Sequence, residues 1–570
     1  MFFARRRKIK NFNDLSPDEI FVDASNLPAY DQQQFEGRME RAIGRQIFYG
    51  LAVFCGAVFL IFFGRLFWLA AINGDYYAER SRNNNLNLTS IFATRGNVYD
   101  RDGRELAWTV MASTTESEPA EETARRTYIA SPGFGHLLGY VGFPNQAEFA
   151  TGQYHGREYL GRSGIEQVAN ELLHGTRGER IVEVDATGKE ESDHVVKKAV
   201  PGQSVTLSID SRIQAKMYQL IEQVATERGF RGGAGLIMDL ETGELITMVS
   251  YPDFDPNVLS AGEDREKINQ YFNSSQNTML NRAVSGLYTP GSTFKPFVAL
   301  GALSEKTVDP LKKFVTNGRL EIVNPYNKTQ TTVFRDWRNN GTVDMRRALA
   351  VSSNVYFYII GGGFGSQPGL GIKMIEKYAK LFGLSQLTGV NLPGEASGTI
   401  PSPEWKAANF DGEPWRLGDT YHTSIGQYGV QVTPIQLLRA YAAIGNGGRL
   451  IKPTVFRIDP TQAVIQVTIA IKPEDLQVIR DGLRQVVADG TASALRLPGV
   501  AVSAKTGSAE LGVAKDFLNA SVAGYWPSEA PRYAFTVVLE RGPRDNLVGG
   551  VAVMSQLLAW MQAKTPEYFN

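Results

Sequence analysis

The chain has 570 residues, 43% of them apolar, and its 59 basic residues balance 59 acidic ones. That length exceeds what one hydrophobic core organises, so two or three folded units are expected, and the zero net charge removes the electrostatic footprint of a protein that binds nucleic acid along its length. The single cysteine, Cys55, excludes an intramolecular disulfide and a thiolate zinc cluster, leaving packing to supply stability.

Residues 1–45 are polar, broken by Pro17 and Pro28 and rich in glutamine at 32–34. This is the composition of a flexible tail; a partner-binding segment is the other reading. From Ile47 to Gly64 the chain carries no charge, and beyond Arg65 it continues through Leu66 to Ile72, so residues 46–72 have the length of a membrane-spanning helix. Arg5, Arg6, Arg7, Lys8, Lys10, Arg38, Arg41 and Arg45 lie on its amino side. By the positive-inside tendency they hold the amino terminus in the cytoplasm and send the remainder outside. A cleaved signal peptide competes, but its apolar core is normally shorter than this.

Residues 94–107 alternate apolar with polar and turn at Asp102-Gly103, a β-hairpin pattern. Residues 113–126 hold no aliphatic side chain larger than alanine and read as a loop. Residues 159–166 lead into a short helix, 180–185 alternate like an exposed strand, and Pro201-Gly202 marks a boundary.

After that boundary the pattern is denser. Residues 211–228 read as a helix, and 234–239 and 244–249 as strands joined across Glu241-Thr242-Gly243. Residues 500–505, 520–526 and 533–540 are three further strands, followed by a helix over 549–563. Two strands, a mostly helical middle, then three strands and a helix fit one sheet closed by both ends of a domain and flanked by helices. The short connections among the last three favour antiparallel pairing.

Three short strings carry the chemistry. Ser292-Thr293-Phe294-Lys295 follows Thr289-Pro290-Gly291 and opens into an apolar run, a tight turn leading into a buried helix. Pro296 lacks an amide hydrogen and crowds the preceding turn, so the helix must begin at or near Ser292, where free amides and the helix dipole favour negative charge. Lys295, three residues on, can return its amine to the Ser292 hydroxyl and accept its proton if its pKa falls well below the usual lysine value, through burial and a second cation such as Lys505. A surface lysine beside a helix-capping serine is the plain alternative.

Ser352-Ser353-Asn354 stands inside an apolar segment, where polar groups must find hydrogen bonds. Ser352 can pass a proton to a leaving amine and Asn354 can hold a substrate backbone; a cap and a satisfied core amide are the alternative. Lys505-Thr506-Gly507-Ser508 ends a predicted strand. Lys505 supplies charge, Thr506 and Ser508 hydroxyls, and Gly507 an unobstructed edge, enough to hold an extended peptide and its terminal carboxylate; the alternative is an ordinary strand ending in a turn. The backbone amides of Ser292 and Ser508 would form the oxyanion hole.

A Ser and a Lys three apart occur by chance about once or twice in a chain of this length. The fixed order and the local settings carry the signal. A Ser-His-Asp arrangement in this domain would have to use His422, the one histidine beyond residue 200. Neither a phosphate-loop lysine motif nor a His-Glu-x-x-His zinc site is present, and Gly361-Gly362-Gly363-Phe364-Gly365 lacks the spacing of a dinucleotide loop, follows an apolar run that continues a helix, and reads as a loop.

Together these strings resemble the class B penicillin-binding proteins, single-pass peptidoglycan D,D-transpeptidases of bacteria. The resemblance covers nearly everything after the tail. It includes Arg95-Gly96-Asn97-Val98-Tyr99-Asp100-Arg101, Tyr251-Pro252-Asp253-Phe254-Asp255-Pro256-Asn257, Leu392-Pro393-Gly394-Glu395, and Ile425-Gly426-Gln427 with Thr433-Pro434. Phe334-Arg335-Asp336-Trp337 leans toward the elongation type, penicillin-binding protein 2, over the division type.

The resemblance implies an α/β (α+β) fold: a serine-β-lactamase/D,D-peptidase-like domain with a largely antiparallel five-stranded sheet flanked by helices, a small membrane-proximal pedestal and one transmembrane helix. The expected divisions are a cytoplasmic tail at 1–45, the membrane helix at 46–72, a dimerisation-like pedestal at 73–203 with a flexible loop at 108–127, and the transpeptidase domain at 204–570. Ser292 would be the nucleophile, Lys295 its base, Ser352 and Asn354 aids to proton transfer and substrate holding, and Lys505, Thr506, Gly507 and Ser508 the carboxylate-binding strand.

The substrates implied are peptidoglycan stem peptides, with β-lactam antibiotics acylating the same serine. The implied partner is a polytopic glycosyltransferase of the shape, elongation, division and sporulation family. No cofactor and no nucleic acid are expected. Some elongation-type relatives bind zinc through a His and a Cys before the second motif, and this chain has neither at those places, so no metal is expected. The stretch between Ala107 and Tyr128 is shorter than in relatives. A D,D-carboxypeptidase, in which water replaces the acceptor, and a non-catalytic penicillin-binding sensor or scaffold are the alternatives.

Overall fold

The computed structural model describes residues 45–78, 86–111, 124–151, 154, 158–184, 190–323, 327–512, 514–546 and 548–569. Residues 1–44 of the tail and 112–123 of the loop lie outside them. The chain divides into a smaller unit that carries the apolar helix and a larger one, Leu88–Ile181 with Asp193–Asn570.

In the smaller unit, α1 spans Arg45–Phe67 and runs into a π-helical turn at Trp68–Ile72; neither contains a buried residue. The 28 residues Arg45–Ile72 have a peak mean hydropathy of 2.4, long and apolar enough to cross a membrane.

The amino-terminal part of the larger unit contains the expected hairpin. Val98–Tyr99 pairs antiparallel with Glu105–Met111, and Gly103 turns the chain at φ +84°. Ala124–Tyr128 extends the sheet on one side and Val205–Thr206 on the other. Beneath it, the buried Glu166 carboxylate receives Arg95 Nε at 2.5 Å and Arg126 Nε at 2.7 Å. Burial pushes that carboxyl up, but the two guanidiniums outweigh it and hold the group below the usual carboxylate range. Residues 251–257 tie this region to the remainder of the unit. Asp253 accepts the amides of Gly133 and Gly135 at 2.9 Å each, and Asn257 Oδ1 accepts that of Tyr128 at 2.9 Å.

The central sheet has five strands: β1 Gly232–Asp239, β2 Leu245–Tyr251, β3 Ser503–Leu511, β4 Phe517–Trp526 and β5 Tyr533–Pro543. Their spatial order is β2-β1-β5-β4-β3, every pair antiparallel. Both faces are covered, which is why the strands other than β3 read as largely apolar runs. Ile237, Val522 and Phe535 pack toward α2 (Ser211–Arg228) and the terminal helix Gly550–Lys564, whereas Leu236, Ala523 and Ala534 belong to the cluster that includes the helical middle. Asp210 starts α2 by accepting the amides of Arg212 and Ile213, and Gly229 closes it at φ +69°.

Four details differ from the sequence reading. Both ends of the span expected as a loop, 108–127, are strand: Glu105–Met111 and Ala124–Tyr128 pair with each other from Ala107 opposite Tyr128 to Met111 opposite Ala124, a pairing hidden because Ala124–Tyr128 has no large aliphatic residue. The strand expected to end at Lys505 runs on to Leu511, because its pairing with β4 continues from Ser503 opposite Tyr525 to Leu511 opposite Phe517. Residues 506–511 hide this because five of the six are neither β-branched nor aromatic, the types that mark strands. The middle is not wholly helical: Arg319–Val323 pairs with Thr331–Arg335, and Phe314–Thr316 with Gly341–Val343. The glycine run is a loop only from Gly363. Gly361 and Gly362 close the helix Asn354–Gly362, where a Cβ would overlap Ser424 and Tyr421 of the neighbouring helix.

Candidate active site

The nucleophile string forms a 3₁₀ turn, Gly291–Phe294, that feeds α3, Lys295–Ser304. Pro296 sits in the first turn of α3, where a missing N–H leaves no bond unmade. The turn is held by three bonds: Gly291 N donates to Gly426 O at 3.0 Å, Thr293 Oγ1 to Pro290 O at 2.8 Å, and Tyr441 OH to Thr293 O at 2.8 Å. Gly291 takes φ +55°, and a Cβ there would lie 2.7 Å from Ser508 O. The turn carrying Ser292 is therefore pressed onto β3 at Ser508. Ser292 is half-buried while its neighbours Gly291 and Thr293 are fully buried, so the chain exposes the hydroxyl-bearing residue of the nucleophile position.

Lys295 points away from solvent and is 0% exposed. Its Nζ donates to Ser352 O at 2.8 Å and to Asn354 Oδ1 at 2.8 Å, with Ser352 Oγ at 3.4 Å, and stands 5.4 Å from the centre of the Phe357 ring. The spacing suggested a return to the Ser292 hydroxyl. The amine's hydrogen bonds among the described residues run instead to the second motif.

That motif is the link between the helices Met345–Ala350 and Asn354–Gly362. Ser352 takes φ +58°, a left-handed conformation that costs a non-glycine residue about 1 kcal/mol or more. The conformation lets one residue serve two amines, its carbonyl facing Lys295 and its hydroxyl accepting from Lys505 Nζ at 2.8 Å. Ser353 caps the second helix, its Oγ accepting the Tyr356 amide at 3.3 Å.

The third string lies in the body of β3, an edge strand of the sheet. Alternation along the strand sends Lys505 and Gly507 inward, both buried, and Thr506 and Ser508 outward, half-buried and exposed. Two expectations change. Lys505 was expected as a cation at the strand edge; it is 0% exposed and donates to Ser352 Oγ and to Thr506 O at 3.1 Å. Gly507 was expected to leave room for a ligand. A Cβ there would overlap Pro290 O and Ser521 Oγ, so its bareness admits the nucleophile turn. Among the described residues no strand pairs with the outer edge of β3, which still offers backbone groups to an extended peptide.

Burial lowers the Lys295 pKa to about 7, against the pull of Asp336, which favours the charged form. Burial, not the second cation, is the main cause. Lys505 is driven well below the usual lysine range by burial and by the charge of Lys295. Two amines joined through one serine and shut from water do not both hold a proton readily.

Two contributors went unread in the sequence. Thr491 hydrogen-bonds Thr506 hydroxyl to hydroxyl at 2.7 Å, and its amide donates to Ala350 O at 3.2 Å, joining the second and third motifs. A lone threonine after a helix carries no signal that would single it out. Asp336, noticed in the sequence only as part of Phe334-Arg335-Asp336-Trp337, accepts from Ser353 Oγ at 2.7 Å. His422 lies among the rings of Phe334 and Tyr358, at 5.5 Å and 6.3 Å, and burial lowers its pKa. Among the described residues no group of three or more His, Cys, Asp or Glu side chains is arranged to hold a metal ion.

Comparison with known proteins finds relatives over most of the chain. The penicillin-binding protein transpeptidase domain model matches residues 233–558, and the penicillin-binding protein dimerisation domain matches 118–207. The chain is 28% identical over 611 residues to the peptidoglycan D,D-transpeptidase MrdA of Acinetobacter baumannii, covering 91% of this chain and 87% of that one. It superposes with a TM-score of 0.69 and 25% identity on a chain of the complex between penicillin-binding protein PBP2 and MreC from Helicobacter pylori, covering 85% of this chain and 99% of that one. A chain from a peptidoglycan synthase complex solved for the structural coordination of polymerization and crosslinking gives a TM-score of 0.70 at 26% identity, covering 91% and 98%.

Proposed function

This chain belongs to the penicillin-binding protein transpeptidase family, and we propose from that premise how its site works and where it sits. The protein is a peptidoglycan D,D-transpeptidase of the penicillin-binding protein 2 type. Ser292 Oγ attacks the penultimate D-alanine carbonyl of a stem peptide and gives its proton to neutral Lys295. The developing oxyanion is held by the amides of Ser292 and Ser508. The C–N bond breaks, Ser352 relays a proton to the departing terminal D-alanine, and an acyl ester remains on Ser292. An amine on a neighbouring strand then attacks the ester, forming the cross-link and restoring the serine. Asn354 holds the donor backbone, and Lys505, Thr506 and Ser508 attract its carboxylate, with Gly507 letting the nucleophile turn approach. A β-lactam enters at the first step.

One observation carries this reading. A fully buried lysine with a pKa of about 7 is tied to Ser352 and Asn354, and Lys505 closes onto the same serine from β3. Such an amine is poised as a general base near neutral pH. Fluorescent penicillin should label the purified protein, and Ser292→Ala should abolish labelling; retained labelling removes Ser292 as the nucleophile. Stem peptide supplied with an acceptor amine should give cross-linked product, whereas release of D-alanine alone would make the protein a carboxypeptidase.

For the whole chain we propose a cytoplasmic tail at 1–45, a membrane anchor at 46–72, a pedestal at 73–203 and the transpeptidase domain at 204–570. The basic residues preceding the anchor support an amino terminus inside and a catalytic domain outside the cytoplasmic membrane. The pedestal's match to the dimerisation domain, and the relatives found in synthase and MreC complexes, support a shape-related partner. The partner we propose is a polytopic glycosyltransferase of the shape, elongation, division and sporulation family.

A further inference from the structure

The loop that precedes the second motif supplies a group with no part in the acylation steps proposed for Ser292. Asp336 follows the strand Thr331–Arg335, and its carboxylate gathers four donors. Oδ2 accepts from Ser353 Oγ at 2.7 Å, the Val355 amide at 3.1 Å and Asn340 Nδ2 at 3.2 Å; Oδ1 accepts the Trp337 amide at 2.9 Å. Beside it, Trp337 Nε1 donates to Val351 O at 3.2 Å. Val351, Ser353 and Val355 flank the two residues that hold the Lys295 amine, so this one loop grips the link on both sides of Ser352.

The grip has something to oppose. Ser352 is held at a positive φ that relaxation of the link would relieve. In that conformation its carbonyl reaches the Lys295 amine and its hydroxyl the Lys505 amine. An anion at the start of the helix Asn354–Gly362 also meets free amides and the positive end of the helix dipole.

We infer that Asp336 is a positioning residue for acylation: it clasps the link that presents Ser352 and Asn354, and its carboxylate acts electrostatically on the Lys295 amine. The inference rests on Ser292 being acylated with Lys295 as base. The charged groups facing that amine are Asp336 from this loop and Lys505 from β3; the helix Asn354–Gly362 contributes the neutral Asn354 amide and the Phe357 ring. Asp336 favours the protonated amine and so counters part of the effect of burial. It keeps the base near neutrality where burial alone would carry it lower, and a base of lower pKa is a weaker proton acceptor.

The test is the first-order acylation constant of the full-length protein at saturating fluorescent penicillin, measured from pH 5 to 9. Saturation separates the step from binding of the antibiotic's carboxylate. Wild-type labelling that depends on Ser292 checks the underlying mechanism first. Asp336→Asn keeps an acceptor oxygen and removes the charge, so the acid limb should move to lower pH by roughly half a unit or more. Ser353→Ala keeps the charge and removes the shortest bond of the clasp. Its plateau should fall about tenfold while the midpoint of the limb stays in place. An Asp336→Asn limb superposed on the wild type, or a Ser353→Ala plateau equal to it, overturns the inference while leaving Ser292 acylation intact.

Discussion

Lys505 Nζ donates to Ser352 Oγ at 2.8 Å, although the two residues are 153 positions apart in sequence. The same serine gives its carbonyl to Lys295 at 2.8 Å, so one residue links the amines of the first and third motifs. Ser352→Ala therefore does more than delete a proton relay: it leaves the Lys505 amine with one fewer acceptor in a fully buried site. The variant should keep its fold and lose acylation by about 100-fold or more, the usual contribution of a positioned acid or base. Penicillin labelling rates alongside circular dichroism read both quantities.

The lowered pKa of Lys295 makes a signed prediction about pH. The base works when neutral, so the acylation constant should rise with pH through a midpoint near 7 and level off above it. Stability follows the same direction. In the unfolded chain the lysine holds its proton up to its ordinary value of 10.5, while in the fold it releases it near 7. Between those values the unfolded state binds more protons, and stability rises with pH by up to about 1.4 kcal/mol per unit for such a lysine. Denaturant midpoints should be higher at pH 9 than at pH 7.

The sequence and the structure agree most closely where residue type restricts the backbone. Helix 211–228 carries an Asp before it and a Gly after it, and its ends coincide with the observed Ser211–Arg228. Pro296 pinned the start of α3 through its missing N–H, and apolar runs marked four of the five strands of the sheet, whereas β3 was marked only as far as Lys505. Contacts between distant elements were not legible in the same way. The sequence shows that residue 505 is a lysine but not that it is buried, and shows that Gly507 is small but not that Pro290 occupies the space beside it. The hydroxyl pair of Thr491 and Thr506 depends on how the segment after the helix Pro473–Ala488 meets β3, which no local pattern encodes.

Gly507 tests the closeness of the nucleophile turn to β3. A methyl group at this position would overlap Pro290 O and Ser521 Oγ, and Thr293 Cγ2 would lie 3.0 Å away. Backbone on one side and a paired strand on the other leave little room to yield. Gly507→Ala should therefore push the turn and the strand apart, at a cost of about 1–3 kcal/mol in stability. Acylation should suffer out of proportion, by about 100-fold, because the attacking oxygen and one oxyanion donor, both of Ser292, stand on one side of the contact and the other donor, the Ser508 amide, on the other. Equal acylation rates for the variant and the wild type would show that this contact does not align the site.

Thr491 tests how the carboxylate-binding strand is oriented. Its hydroxyl meets that of Thr506 at 2.7 Å, so each can settle which way the other directs its proton. Its amide is anchored to Ala350 O, at the end of the helix that leads into the second motif. Thr491→Val keeps the shape and removes the hydroxyl, freeing Thr506 to rotate away from an incoming carboxylate. The expected result is about tenfold weaker capture of penicillin, the cost of one hydrogen bond to a charged group, with the saturated acylation rate nearly unchanged. Thr491→Ser restores the hydroxyl and should restore capture. A loss confined to the saturated rate would assign Thr491 to the second motif, through Ala350, and not to the strand.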